Sequence, residues 1–179
     1  MEEINIFVRD RCVFISTIFL LLLFGVIHCV TKNDTFSYYL NFSSSQPIGI
    51  YHKTLFNGHL QKNDLVFIKV PSAIQDYVYG RKWLPKGGLL LKNVGGLPGD
   101  VFQITNNTFS INQVYIGPVS HFDSQGRPLP CLRGTYKVKN GYFLPVSTWI
   151  PNSFDGRYFG AIPVKLIIGK AKPILIFKK

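Results

Sequence analysis

The amino-acid sequence predicts a mainly β domain with one N-terminal transmembrane helix and one short helix inside the domain. An uncharged apolar segment lies near the N-terminus, and short β-rich runs separated by Gly, Pro and Asn follow from residue 35 onward. One further stretch carries the signals of a helix. The chain of 179 residues, 46% of them hydrophobic, has room for one domain with a core and one accessory segment.

The apolar segment comprises residues 12–30, CVFISTIFLLLLFGVIHCV, and carries no formal charge. A helix of this length spans about 28 Å, close to the ~30 Å hydrocarbon core of a bilayer. A buried core helix is one alternative, but the leucine run is apolar all round. A cleaved signal peptide is the other, but the preceding residues mix acids with bases and no small residues end the segment. We therefore predict an uncleaved anchor.

This anchor divides the chain into an N-terminus, residues 1–11, the anchor itself, and a domain over residues 31–179. Arg9 and Arg11 precede the anchor and Lys32 follows it. The positive-inside rule then predicts a cytoplasmic N-terminus and a domain outside the cytoplasm.

The remaining sequence predicts strands at regular intervals. The candidate strands are 48–53, 64–70, 89–95, 100–105, 108–117, 141–145, 162–169 and 173–177. A helix is predicted from Ser72 to Trp83, because Pro71 precedes it, Ser72 could cap it and Pro85 would stop it. No internal repeat and no second domain is evident.

The net charge of +11 suits an anionic membrane surface or a nucleic acid. The basic residues are scattered and not clustered with aromatic residues, which makes nucleic acid the weaker interpretation. Cys12, Cys29 and Cys131 form neither a pair within the domain nor a CxxC or Cys/His cluster, so no disulfide and no zinc site is predicted. We expect no cofactor and no metal.

Lys92 is the main candidate for a catalytic residue. It lies in LLLKNVGGLPGD, inside a predicted apolar strand that ends in a tight turn. A lysine on the solvated face of a sheet is the ordinary interpretation. A buried lysine is the alternative, and its pKa would fall because the charged form is desolvated. Its neutral amine could then take a proton from a serine hydroxyl.

None of the four histidines has an Asp or Glu at a sequence spacing that would indicate a catalytic pair. In NSFDGRYFG, residues 152–160, we predict a turn stabilised by an Asp155–Arg157 pair.

Three motifs follow the apolar segment in order. They are Ser-x-Pro-x-Gly-x-Tyr at Ser45–Tyr51, KNVGGLPGD at Lys92–Asp100 and SFDGRYFG at Ser153–Gly160. Together they make the sequence similar to the type I signal peptidase family, S26, and most similar to its conjugative-transfer, TraF-like branch. The resemblance extends from about Tyr38 to Ile174 and implies a signal-peptidase-like antiparallel β domain.

The resemblance also implies a Ser–Lys dyad, with Ser45 as nucleophile and Lys92 as general base. The Ser43 hydroxyl and the Ser45 backbone N–H correspond to an oxyanion hole, and Ser153 to the serine that orients the lysine. Asp155 and Arg157 match the family's structural ion pair.

Further details favour the conjugative branch. The stretches DSQGRPLP at 123–130 and GKAKPI at 169–174 resemble it, and the Gly-Asp-Asn-Arg run of leader peptidases is missing. Gln46 stands where the family often has Met.

The expected activity is the removal of signal, leader or C-terminal segments from exported proteins, with a pilin precursor as substrate. Some members of the branch release a cyclic pilin by intramolecular aminolysis. The expected partners are this pre-protein and membrane lipids, without nucleic acid. The expected location is the inner membrane, with the domain on the periplasmic side. A housekeeping signal peptidase I and a non-catalytic pilin-binding scaffold are the alternatives.

Overall fold

The computed structural model describes residues 14–22, 37–130, 132–148, 150 and 153–178. Residues 14–22 form a helix, α1, which belongs to the predicted anchor. The rest of that anchor and the predicted N-terminal segment 1–11 lie outside the described residues. No helix within the described ranges has both the length and the apolarity needed to cross a membrane. The anchor therefore stays a prediction.

The compact unit from Tyr38 to Lys179 is built almost entirely of strands. These are β1 Ser37–Asn41, β2 Ile48–Thr54, β3 Leu65–Lys69, β4 Leu89–Gly96, β5 Val101–Ile104, β6 Thr108–Ile111, β7 Val114–Pro118, β8 Gly134–Lys137, β9 Tyr142–Val146, β10 Ile162–Pro163 and β11 Ile167–Lys178. They form a seven-stranded sheet in the order β1-β2-β11-β3-β4-β9-β10 and a four-stranded sheet in the order β7-β6-β5-β8. Every pair from β2 onward is antiparallel, which confirms the predicted mainly β fold.

All eight predicted strands overlap a strand of the structure, and two of them overlap two strands each. Residues 108–117 form the hairpin β6–β7, because Asn112 and Gln113 both adopt positive φ and reverse the chain. Residues 162–169 contain β10, one 3₁₀ turn over Val164–Leu166 and the start of β11. The strands β1 and β8 were not predicted.

The predicted helix over Ser72–Trp83 is too long. A 3₁₀ turn over Ser72–Ile74 leads into α2, Gln75–Val78, and the helix ends there. The backbone N–H groups of Trp83 and Leu84 both donate to Val78 O, and Lys82 has a φ of 58°, so the chain folds back on the helix end. Ser72 is also not the cap, since Pro71 occupies that position and no side chain caps the turn.

Apolar side chains cover both faces of the central strands. On one face, Leu90 and Val94 of β4 join a cluster with the Ile74 and Val78 side chains of the helical segment. On the other face, Leu91 packs with Tyr51 and its neighbours. Because neighbouring residues on a strand point to opposite faces, Lys92 shares the face of Leu90 and Val94. The last helix, α3, spans Gly156–Phe159 and packs near β9.

Candidate active site

Lys92 is buried, with 3% of its surface exposed, so the interpretation as a solvated surface lysine is wrong. It lies in β4, where Val66 of the neighbouring strand β3 is its paired residue. Its Nζ donates a hydrogen bond to Ser153 Oγ at 2.7 Å. Burial lowers the pKa of Lys92 to about 8; nearby Asp155 raises this pKa and Arg157 lowers it. A minority of the amine, roughly a fifth at pH 7.4, is therefore neutral, far more than for an ordinary lysine.

The serine turn, residues 42–47, connects β1 to β2 and is shaped by the side chain of Asn41. The Asn41 Nδ2 donates to the carbonyl oxygens of Ser43, Gln46 and Pro47 at 3.0, 3.1 and 3.0 Å. Its Oδ1 accepts from the Ser43 N–H at 3.1 Å. Asx side chains commonly satisfy turn backbones in this way. The Tyr51 hydroxyl adds a 2.7 Å hydrogen bond to Pro47 O.

Ser43 and Ser45 lie side by side within this turn. Their Oγ atoms are 3.0 Å apart, and the Ser45 N–H donates to Ser43 Oγ at 3.3 Å. The two donors predicted to form the oxyanion hole, the Ser43 hydroxyl and the Ser45 N–H, therefore lie close together.

Asp155 and Arg157 form a fully buried ion pair beside the site. Arg157 Nε donates to Asp155 Oδ1 at 2.9 Å and Nη2 donates to Oδ2 at 3.2 Å, a two-point contact of favourable geometry. The predicted pairing of these two residues is thus present. The Asp155 side chain also accepts the Arg157 backbone N–H at the start of α3. A methyl group at Gly156 would lie 2.6 Å from Pro145 O, so only glycine fits between the pair and β9.

Ser147 connects this ion pair to the serine turn. Its N–H donates to Asp155 Oδ2 at 2.8 Å, and its carbonyl accepts from Arg157 Nη2 at 3.4 Å. Its hydroxyl donates to the carbonyl of Ser45, so the buried pair holds the serine turn through one intermediate residue. The sequence gives no local signal for Ser147, because Ser45 is 102 positions away.

One cleft of about 330 Å³ brings four of the predicted site residues together. Ser43, Ser45, Lys92 and Ser153 all line it, whereas Asp155 and Arg157 lie beneath its surface. Its apolar lining includes Trp83, Leu84, Phe122, Leu129 and Phe154.

The aromatic ring of Phe154 fixes the chain next to Ser153. It packs against the rings of Trp83 and Tyr158, with centroids 5.0 and 5.3 Å away. The cleft thus joins hydroxyl groups and a buried amine to an apolar lining, and a hydroxyl beside an amine of lowered pKa is an arrangement that can support nucleophilic acyl transfer. Within the described residues, no group of three or more His, Cys, Asp or Glu side chains is placed to hold a metal ion.

The chain is similar in sequence to proteins named for conjugal or plasmid transfer. The chain is 30% identical over 148 residues to the conjugal transfer protein TraF of Agrobacterium fabrum strain C58, covering 78% of this chain and 83% of the relative. It is 28% identical over 146 residues to the plasmid transfer protein TraF of Escherichia coli, covering 76% and 81%.

A solved signal peptidase I from Enterococcus faecalis V583 covers 63% of this chain and 96% of its own length, at 20% identity and a TM-score of 0.37, too distant for a comparison of the two sites. The sequence model described as signal peptidase, peptidase S26, matches residues 11–176. This match includes nearly the whole chain, which therefore belongs to the signal peptidase family, peptidase S26.

Proposed function

We propose that the chain is a membrane-anchored serine endopeptidase with a Ser45–Lys92 dyad, and that it matures a pilin precursor for conjugative transfer. The observation that carries this proposal is the buried Lys92 amine in the same cleft as the Ser45 hydroxyl, with a pKa lowered to about 8. A lysine poised near neutral pH can act as a general base without a histidine. The TraF relatives are named as conjugal or plasmid transfer proteins, which supports a role in conjugative transfer.

The first half of the reaction forms an acyl-enzyme. Ser45 Oγ attacks the carbonyl carbon of the scissile bond while Lys92 Nζ takes the hydroxyl proton. The Ser43 hydroxyl and the Ser45 N–H stabilise the negative oxygen of the tetrahedral intermediate; losing one such donor typically costs about 10²–10³ in rate. Lys92 then returns the proton to the leaving amine, and the C–N bond breaks.

The second half releases the acyl group from Ser45. Lys92 again takes a proton, either from a water molecule or from an amino group of the substrate itself. Water gives a free carboxylate, whereas the amino group gives a cyclic product that lacks one water. In both cases the bond between the acyl carbon and Ser45 Oγ breaks and Lys92 gives its proton to Oγ, which restores the hydroxyl.

The membrane location is part of the same proposal. The predicted anchor over residues 12–30 would hold the domain on the periplasmic face of the inner membrane, where exported precursors emerge. Large apolar side chains are exposed on β1 and β11, the two strands that flank β2, and on the serine turn. These are Tyr38, Leu40, Phe42, Ile174, Leu175 and Phe177. Such a surface, on a chain of net charge +11, suits contact with anionic lipids.

The test is the processing of a co-expressed pilin precursor from the same transfer system, read by mass spectrometry. We expect wild type to process it and both Ser45→Ala and Lys92→Ala to leave it intact. Ser110→Ala and Lys137→Ala, outside the cleft, are the matched controls and should process normally. The product mass distinguishes a free from a cyclised end. Processing that persists in a folded Ser45→Ala variant would return the protein to the role of a non-catalytic scaffold.

A further inference from the structure

One side-chain hydrogen bond joins the serine turn directly to the lysine strand. Gln46 Nε2 donates to Asn93 Oδ1 at 2.7 Å. Gln46 immediately follows Ser45, and Asn93 immediately follows Lys92. Ser45 and Lys92, the two residues of the proposed dyad, are therefore each adjacent in sequence to a residue that makes this hydrogen bond.

Both ends of the contact are fixed. Gln46 is buried, with 5% of its surface exposed, and a buried amide without a partner would be destabilising. Asn93 lies inside β4, with Leu65 and Val146 as its paired residues on the two neighbouring strands. Its Nδ2 donates to Asn63 O at 3.2 Å, which turns its Oδ1 toward Gln46.

The serine turn needs such an attachment because it is a connection between two strands. The hydrogen bonds of Asn41 are local and fix the shape of the turn, but they do not determine where it lies relative to β4. Ser147 holds the turn from the side of β9 through Ser45 O. The Gln46–Asn93 hydrogen bond attaches the serine turn to β4, the strand that carries Lys92.

We propose that Gln46 and Asn93 are positioning residues, forming a clamp that sets the separation between Ser45 Oγ and Lys92 Nζ. The proposal rests on the proposed function, since it concerns the same pair of groups. Proton transfer depends steeply on such a distance, and a displacement of about 1 Å can cost about 10²-fold in rate. An apolar side chain at position 46 could fill similar space but would remove the attachment to β4, so the turn would be held less firmly relative to that strand.

The first test measures proximity without requiring peptidase activity. Ser45→Cys places a thiol at the nucleophile position of the full-length chain in mild detergent. Its pKa is obtained from the pH dependence of iodoacetamide alkylation, followed on the peptide that contains position 45 by mass spectrometry. A neighbouring lysine ammonium lowers a thiol pKa, so Lys92→Met should raise it toward the ordinary value of about 8.5.

In the same Ser45→Cys background, Gln46→Met and Asn93→Ala should each raise the thiol pKa by about half a unit or more, through loss of proximity to Lys92. Gln103→Ala, an exposed glutamine on β5, should leave it unchanged. If Lys92→Met shifts the thiol pKa while Gln46→Met and Asn93→Ala do not, the clamp is overturned and the dyad survives. If Lys92→Met itself has no effect, the proposed dyad fails and the clamp with it.

The second test is a double-mutant cycle on precursor cleavage. Gln46→Met and Asn93→Ala should each lower kcat by about 10- to 100-fold with KM changed less than about twofold, because alignment and not substrate binding is lost. If the two side chains act through their mutual contact, the double variant should be no slower than the slower single variant. Full multiplication of the two losses, or no loss in either variant, would overturn the clamp.

Discussion

Lys92 Nζ lies 2.7 Å from Ser153 Oγ, although 61 positions separate the two residues in the sequence. Both side chains are buried, and the carboxylate of nearby Asp155 is already paired with Arg157. The lysine therefore receives a neutral hydroxyl as its hydrogen-bond partner, not a carboxylate. Desolvation is then the dominant effect, and it moves the pKa of Lys92 down to about 8.

Removal of the Ser153 hydroxyl should slow the reaction without weakening substrate binding. Ser153→Ala leaves the Lys92 amine without its hydrogen-bond acceptor, so the amine loses a fixed orientation toward the cleft. We expect kcat for precursor cleavage to fall by about 10- to 100-fold, with KM within about twofold of wild type. Steady-state kinetics on a peptide that spans the cleavage site measures both. Ser110→Ala is the matched control, and a Ser153→Ala enzyme as fast as this control would contradict the assigned role.

The pH dependence of cleavage should report the deprotonation of Lys92. The amine acts as a base only when neutral, and its pKa is about 8. We expect kcat/KM to rise about tenfold per pH unit below this value and to level off above it, since the free enzyme's essential base governs this parameter. Initial rates between pH 6 and 9.5 would show this. A flat profile across this range would argue against Lys92 as the base.

The same lowered pKa makes a prediction for stability. The pKa of Lys92 is 10.5 in the unfolded chain and about 8 in the folded protein, so the folded protein binds fewer protons between these values. Unfolding free energy must therefore rise with pH in this window. We expect a gain of about 2 kcal/mol between pH 7.5 and pH 10 that Lys92→Met lacks, because the methionine does not titrate.

Denaturant unfolding of the full-length chain at the two pH values, in the same detergent, measures this gain. Comparison with Lys92→Met removes the contributions of tyrosines and other lysines, which both proteins share. Equal pH dependence in the two proteins would mean that Lys92 titrates normally and is not desolvated.

The sequence predicted most strands because apolar alternation and turn residues are local signals. Strand β8 was missed because three of its four residues are exposed and none is buried, which leaves no alternation of apolar and polar residues to detect. The sheet order could not be predicted either. Strand β11 pairs with β2 and β3, roughly 100 or more positions earlier, and such pairing depends on contacts that no local pattern encodes.

For the site, the sequence alone did not decide whether the Lys92 side chain is buried or faces solvent, and its expected role as a base came from the resemblance to the family. Its burial follows from apolar packing on both faces of β4, a property of the assembled sheet. Ser147 and the Gln46–Asn93 contact could not be predicted, since their partners lie 102 and 47 positions apart. The Asp155–Arg157 pair, in contrast, could be predicted from the sequence because its members are only two positions apart.

Loss of charge at Asp155 should destabilise the fold strongly. Asp155→Asn leaves the Arg157 guanidinium buried without its counter-ion, and breaking a buried pair in this way costs about 3–5 kcal/mol. Lys62→Ala breaks the exposed Lys62–Asp100 pair and is the matched control, with an expected cost of about 1 kcal/mol or less. Denaturant unfolding of both full-length variants at pH 7 gives the two values.

The same substitution should also affect cleavage. Asp155 accepts a hydrogen bond from the N–H of Ser147, and the Ser147 hydroxyl donates to the carbonyl of Ser45. Asp155→Asn protein that remains folded should therefore cleave the precursor more slowly than the control. An Asp155→Asn protein as stable and as active as Lys62→Ala would contradict both roles of the pair.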